Sequence, residues 1–346
     1  MPIITYQGLQ YEAIADESVL DTLLRHNIDI PYSCHAGVCN TCVMVCDETK
    51  PPDNATRGLK NTLVAQGYFL ACQYVPSESI TVRKADDFGL FCQAIVLEKS
   101  LLSDHVCRLR LQPAANLYYR AGQYINLHMP NGEIRSYSLA SLPKQDDYLE
   151  LHIKCMPNGV VSNWLFNEVQ QGDTLEIQGA FGDCYYLPGS PDSNILMIGT
   201  GTGLAPLIGI VRDALASGHN GLIKLYHGDR NSDDLYLDDE LRKLAAKYPN
   251  IQYIPCVSSV SEHDKQDIFQ GRATDCAFAD NKDLKNSLVF LCGSPEMVKS
   301  ARKLAYLNGA DMKNIYADPF VSKELRHDKG KVDNELPPSK ERRHPD

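Results

Sequence analysis

Three absences narrow this chain of 346 residues before any motif is considered. No apolar run reaches the length needed to span a bilayer. No basic excess exists either: the net charge is −10, which sets nucleic acid aside as a partner. The N-terminal Met1-Pro2-Ile3-Ile4 lacks the basic-then-apolar layout of an export leader. A cytoplasmic, reducing location is therefore expected, and the twelve cysteines read as thiols, with no disulfide framework. What is present is ordinary globular material, 43% hydrophobic, in a length that suits two or three domains. The acidic surface suits docking against a basic patch on another protein.

The stretch around which the rest is organised is Ser33-Cys34-His35-Ala36-Gly37-Val38-Cys39-Asn40-Thr41-Cys42, followed later by Leu70-Ala71-Cys72-Gln73. Cys34, Cys39 and Cys42 are spaced C-x4-C-x2-C, and Cys72 arrives as a distant fourth. Plant-type ferredoxins hold a [2Fe-2S] cluster with this spacing. Ala36 and Gly37 let the backbone fold close to inorganic sulfide and turn N–H groups toward it. Structural zinc favours two separated cysteine pairs, which this loop does not offer. Buried unrelated cysteines are a weaker explanation still.

Residues 1–85 read as a small α+β unit. A hairpin over 3–6 and 10–14 turns at Gly8, and Asp16 or Ser18 caps a helix with Val19, Leu20, Leu23 and Leu24 on one face. A strand at 43–45, a short helix at 59–64 and a strand at 80–82 complete it. The charged run Lys84-Ala85-Asp86-Asp87 marks a linker. Residues 88–188 carry short alternating segments at 91–97, 106–111, 124–129, 135–140, 148–154 and 174–178, with one helix at 160–169. Gly and Pro punctuate them, so a small antiparallel β-barrel is expected. From 193 to 320 the texture changes. Apolar runs at 195–198, 222–226, 251–257 and 288–291 alternate with helical patterns at 204–216, 235–247 and 296–307, the signature of a doubly wound α/β domain. Residues 321–346 are nearly devoid of apolar side chains, and a disordered tail is expected there.

Four short motifs follow one another in these last two domains. Arg135-Ser136-Tyr137-Ser138 lies on a strand and is weak evidence alone. Gly159-Val160-Val161-Ser162 opens a helix, whose unpaired N–H groups suit a phosphate. Gly199-Thr200-Gly201-Thr202-Gly203-Leu204-Ala205-Pro206 joins the first α/β strand to its helix. It is not the G-x-G-x-x-G fingerprint, because Pro206 stands where the third glycine would fall. Cys292-Gly293-Ser294 closes the last strong strand at its carboxyl end, the edge at which doubly wound sheets bind ligands.

In this order, R-x-Y-S, G-x-x-S, G-T-G-x-A-P and C-G-S resemble the ferredoxin–NADP+ reductase superfamily. With the cysteine loop in front, the chain is similar to reductase components of multicomponent oxygenases, such as those of benzoate dioxygenase, phenol hydroxylase and soluble methane monooxygenase. The resemblance runs from residue 1 to Phe320. It implies that Cys34, Cys39, Cys42 and Cys72 ligate the [2Fe-2S] cluster. Arg135 would pair with the FAD pyrophosphate, Tyr137 would lie against the isoalloxazine and Ser138 would hydrogen-bond near flavin N5. Gly159 and Ser162 would hold the pyrophosphate, while Gly201, Thr202 and Gly203 would cradle the phosphates of the nicotinamide dinucleotide. Cys292, followed by Gly293, would sit beside nicotinamide C4, and Phe320 would cover the flavin. Ser138 and Cys292 are thus the implied catalytic pair. His35 and Asn40 depart from the Arg and Gly common in relatives, a change expected to tune potential or docking.

The three parts form one electron path. A nicotinamide gives up two electrons as hydride, a cluster accepts one, and a flavin between them handles both. Asp229, Asp233 and Asp234 against Arg230 after the second α/β strand favour NADH over NADPH as donor. The expected acceptor is a terminal oxygenase or hydroxylase component. The alternatives are a reductase of free flavin or ferric chelates, a reductase serving a deoxysugar dehydratase, and a relay module without nicotinamide binding. The intact G-T-G-x-A-P and C-G-S oppose the last. Cys39→Ser should abolish or destabilise the cluster while leaving NADH-to-ferricyanide activity, which flavin alone supports; loss of both would mean the cluster also holds the fold.

Overall fold

The computed structural model describes residues 2–32, 35–37, 42–47, 50–84, 90–143, 145–259 and 267–321. Cys34, Cys39, Asn40, most of the expected linker and the tail from 322 onward lie outside the described residues. Among the described residues three sheets form, each with its own fold.

The first unit comprises β1 (Ile3–Tyr6), β2 (Leu9–Glu12), α1 (Val19–Arg25), β3 (Val43–Cys46), α2 (Asp53–Thr56), α3 (Asn61–Val64), β4 (Tyr68–Leu70) and β5 (Ile80–Lys84). The sheet order is β2-β1-β5-β3-β4, with β1 parallel to β5 and its other neighbours antiparallel, a β-grasp-like arrangement. Of the two candidate caps, Ser18 is the one used: its hydroxyl accepts from Asp21 N at 3.1 Å. Val19, Leu20 and Leu23 are buried against Ile4, Met44, Phe69 and Leu70 in one core. Helix α2 is an element the sequence pattern did not announce, and the expected helix over 59–64 is shorter, beginning at Asn61.

All six expected barrel strands are present: β6 (Leu90–Ser103), β7 (Val106–Pro113), β8 (Tyr124–His128), β9 (Ile134–Ser138), β10 (Leu149–Lys154) and β11 (Thr174–Phe181). Their order is β10-β7-β6-β11-β8-β9, antiparallel throughout. A bridge between Leu139 and Leu151 draws the two edge strands together and closes the barrel. The expected helix is α4 (Val160–Asn167), which buries Val161 and Leu165 in the barrel core.

The third unit runs β12 (Ile195–Thr200), α5 (Leu204–Ala216), β13 (Ile223–Asp229), α6 (Asp238–Lys247), β14 (Ile251–Val257), β15 (Phe269–Gln270), α7 (Ala273–Asp280), β16 (Leu288–Gly293), α8 (Pro295–Leu307) and β17 (Ile315–Pro319). The sheet is parallel, in the order β15-β14-β13-β12-β16-β17. Strand order reverses at β12, with β13 on one side and β16 on the other, so the ligand crevice of such a sheet opens at the carboxyl end of β12. The sequence reading missed α7, β15 and β17. Most of α7 is buried, Ala273, Thr274, Cys276, Ala277 and Phe278 alike, so it lacks the polar stripe that marks an amphipathic helix. Strand β17 is short and ends at Pro319, which cannot donate to a ladder and suits a sheet edge. No described helix is long and apolar enough to cross a membrane.

Candidate functional site

The crevice at β12 is built by backbones that approach very closely. Gly201 takes φ +54, in the left-handed region, and the turn through Gly203 passes into α5. A Cβ on Gly203 would collide with the backbone carbonyl of Cys292, and one on Gly293 (φ +124) would collide with Thr200. Glycine at both positions therefore locks the loop after β12 against the end of β16. Ser294 N donates to Thr200 Oγ1 at 3.1 Å and ties the same two ends.

Barrel strand β9 comes to this edge. Ser138 Oγ donates to Asp318 Oδ2 at 2.7 Å, and Asp318 pairs in register with Cys292 across β16 and β17. The four places Ser138, Asp318, Cys292 and Gly203 are thereby brought together from two domains. Burial lifts the Asp318 carboxyl to about 6; the Ser138 hydrogen bond pulls it back and Asp183 pushes it up further. Phe320 follows directly: its N–H donates to Gly293 O at 2.8 Å, and its side chain is half-buried at the end of β17.

Cys292 is at the expected edge, but its thiol turns inward. The residue is fully buried, with Sγ 3.7 Å from Cys184 Sγ. Burial and then the Cys184 thiol push it well above its ordinary range. In this conformation the main chain of Cys292 contributes to the crevice, and its sulfur packs in the core. Tyr137 is half-buried against the barrel core, and desolvation there raises its phenol. Arg135 is half-exposed; its guanidinium donates to Ile134 O at 2.6 Å and lies 3.5 Å from Glu133. Gly159 caps α4, and Ser162 Oγ donates to Gly159 O at 3.2 Å while accepting from Met156 N at 3.3 Å. The Ser162 hydroxyl is thus committed first to its own turn, and the N–H groups of the first helical turn are the donors a phosphate would meet.

Two further residues at the site escaped the sequence reading. Lys154, the last residue of β10, brings its ammonium over Gly201 and to 3.7 Å from Asp229 Oδ2. Asp318 is the other. At the end of β13, His227 faces inward, with Nδ1 3.2 Å from Tyr253 OH, and burial pulls it down to about 3. Asp229 ends β13 at the crevice, and Arg230 beside it is exposed.

At the cysteine loop, Cys42 and Cys72 are buried and adjacent: Ala71 N donates to Cys42 O at 3.0 Å, and Val43 pairs with Leu70. Gly37 (φ +73) packs on Gln73, whose Nε2 lies 3.5 Å from Cys72 Sγ. Two thiols at the same end of the paired strands β3 and β4, with Gly37 packed on the Gln73 that neighbours Cys72, fit a [2Fe-2S] cluster.

Three modules of this kind define an oxidoreductase that joins a nicotinamide site, a flavin site and an iron–sulfur site. Family models agree: a 2Fe-2S iron-sulfur cluster binding domain matches residues 4–77, an oxidoreductase FAD-binding domain 93–186, and an oxidoreductase NAD-binding domain 197–303. The reductase subunit of an aromatic O-demethylase from an Amycolatopsis species is 31% identical over 92% of this chain and 98% of its own length. The ferredoxin–NAD(P)+ reductase component of the naphthalene 1,2-dioxygenase/salicylate 5-hydroxylase systems of a Ralstonia species is 33% identical, over 90% and 96%. A solved Amycolatopsis cytochrome P450 reductase superposes with a TM-score of 0.66 at 30% identity, covering 93% of this chain and 99% of that one. The chain belongs to the family of iron–sulfur flavoprotein reductases that serve as reductase components of oxygenase systems.

The Asp318 carboxyl gives a pH signature. Its folded value near 6 lies above the ordinary 3.8, so its contribution to stability is complete below about pH 4 and is lost as pH rises through 6. The full swing is on the order of 3 kcal/mol. Relative to Asp318→Asn, the wild-type protein should melt at higher temperature at about pH 4.5 than at about pH 7.5. A difference that does not change with pH would mean the carboxyl is ionised throughout.

Proposed function

We propose that this chain takes a hydride from NADH and passes the electrons one at a time, by way of FAD and a [2Fe-2S] cluster, to a terminal oxygenase or hydroxylase component. The observation that carries the reading is the junction of Ser138 on β9 with Asp318 on β17, at the same sheet edge as Gly203 and Cys292. In this reading β9 is the strand that faces the flavin and this sheet edge the one that faces the nicotinamide, and the two meet at the Ser138–Asp318 hydrogen bond. When bound, the flavin supplies the change from two-electron to one-electron chemistry.

The remaining work falls to side chains and backbone. Arg135, half-exposed, with its guanidinium on a main-chain oxygen and near Glu133, offers a bidentate grip on the FAD pyrophosphate. The first turn of α4, entered at Gly159 and kept in shape by Ser162, offers N–H donors to the same group. Tyr137 offers a ring face to the isoalloxazine. Ser138 and Asp318 hold a proton between Oγ and Oδ2 where the hydride is received. Gly201, Thr202, Gly203 and Gly293 let the nicotinamide dinucleotide approach the backbone, and Lys154 adds a positive charge beside its phosphates. Phe320 covers the flavin edge. Cys34, Cys39, Cys42 and Cys72 ligate the cluster.

Asp229 at the end of β13 favours NADH, because a carboxylate there accepts from a ribose 2′-OH and repels a 2′-phosphate. The relatives named above belong to oxygenase and demethylase systems, which supports an oxygenase partner over free flavin, ferric chelates or a deoxysugar enzyme. Arg230→Ala should leave kcat/KM for NADH nearly unchanged, whereas Asp229→Ala should shift the NADH:NADPH preference toward NADPH by roughly tenfold. A wild-type preference for NADPH, lost in Arg230→Ala, would contradict the assignment.

A further inference from the structure

The three cores are not joined alike. The flavin and nicotinamide folds share one: Val106, Cys184 and Tyr186 pack with Met197, Leu207, Ile210 and Cys292. They are also pinned by a bidentate pair, Arg212 to both carboxylate oxygens of Asp146 at 2.7 Å, with the Asp146 side chain only 8% exposed. The core of the iron–sulfur unit draws its buried residues from Ile4 to Val82 alone.

Among the described residues, an ion pair and a few hydrogen bonds seat this unit on the rest, around the buried Tyr185 ring. Lys60 Nζ lies 2.7 Å from Asp183 Oδ2, and each side chain is 22% exposed. Tyr185 OH donates to Thr62 O, and Gln66 Nε2 donates to Gly182 O at 3.3 Å. Gln123 Nε2 reaches Gln66 Oε1 at 3.2 Å and Gly182 O at 2.9 Å. The Lys60 ammonium also stands 5.8 Å from the centre of the Tyr316 ring. Solvent reaches both charges of the Lys60–Asp183 pair, so salt screens it, and motion between domains is the default where no common apolar core joins them.

We propose that Lys60 and Asp183 form an electrostatic clasp that docks the iron–sulfur unit reversibly on segment 182–186, closing to load the cluster and opening to present it to an external acceptor. Lys60 is a positioning residue in this scheme. One NADH supplies two electrons, so each turnover loads the cluster twice. Each loading reduces one ferric iron to ferrous at the expense of one electron from the reduced flavin. The proposal rests on the electron path described above, but the clasp itself is a statement about shape and has a readout independent of turnover.

The test uses the full-length holoprotein and compares wild type, Lys60→Glu, and the swap Lys60→Glu with Asp183→Lys. Small-angle scattering gives the radius of gyration between about 20 mM and about 500 mM NaCl. Anaerobic stopped-flow with NADH gives separate rates of flavin and cluster reduction. High salt should enlarge the wild-type particle and slow cluster reduction about fivefold, leaving flavin reduction unchanged. Lys60→Glu should show both effects at low salt, and the swap should reverse them. Identical dimensions and cluster rates for wild type and Lys60→Glu at both salt concentrations would overturn the clasp. Failure of NADH to reduce wild-type flavin would strike the electron path, while the scattering would still decide the clasp.

Discussion

Five residues, 182–186, are touched by every domain of this protein. Gly182 O accepts from Gln123 of the barrel and Gln66 of the iron–sulfur unit. Asp183 pairs with Lys60, and Cys184 meets Cys292. Tyr185 OH donates to Thr62 O while the Arg120 guanidinium lies over its ring, and Tyr186 reaches His219 Nδ1 at 3.2 Å. A donor of electron pairs and an acceptor of single electrons must be placed around one flavin, and this segment is where the three folds that would hold them converge. It leaves the barrel directly after β11, so the chain itself carries the junction from the flavin fold into the nicotinamide fold.

The electrostatics of the site follow from that convergence. Asp183 raises the Asp318 carboxyl, and Asp318 is the acceptor for Ser138. Lys60 of the iron–sulfur unit pairs with that same Asp183. Elsewhere between the barrel and the nicotinamide fold, one chain of buried polar groups crosses the junction. His152 joins Glu150 at 3.2 Å on one side and Tyr236 OH at 3.2 Å on the other, and Glu150 takes Arg110 at 2.8 Å. Burial alone would raise Glu150, yet His152 and Arg110 hold it down to about 2, the mark of a charge that is fixed in place.

Much of this was legible in the sequence because the signals are local. The six barrel strands alternate and are cut by Gly and Pro; the parallel strands are apolar runs; Ser18 stands before an apolar helix face. The cysteine spacing and the Gly199-to-Pro206 turn carry chemistry within a few residues. Other features are not local. Asp318 is a lone carboxylate in Ala317-Asp318-Pro319-Phe320, and only the return of β17 beside β16 sets it against Ser138. Lys154 gains meaning from Gly201 and Asp229, which belong to another domain. The inward turn of the Cys292 thiol depends on Cys184, whose position follows from the path of the chain leaving the barrel. Side chains that serve a junction between folds leave no periodicity in either fold.

The central claim is a single path from nicotinamide through flavin to cluster within one chain. It is tested most directly by anaerobic titration of the purified holoprotein with NADH, following the visible spectrum and assaying flavin, iron and sulfide. The account predicts about one FAD and two irons per chain, with flavin and cluster bleached together by NADH. Bleaching of flavin beside a cluster that stays oxidised, or no bleaching by either nicotinamide, would contradict it.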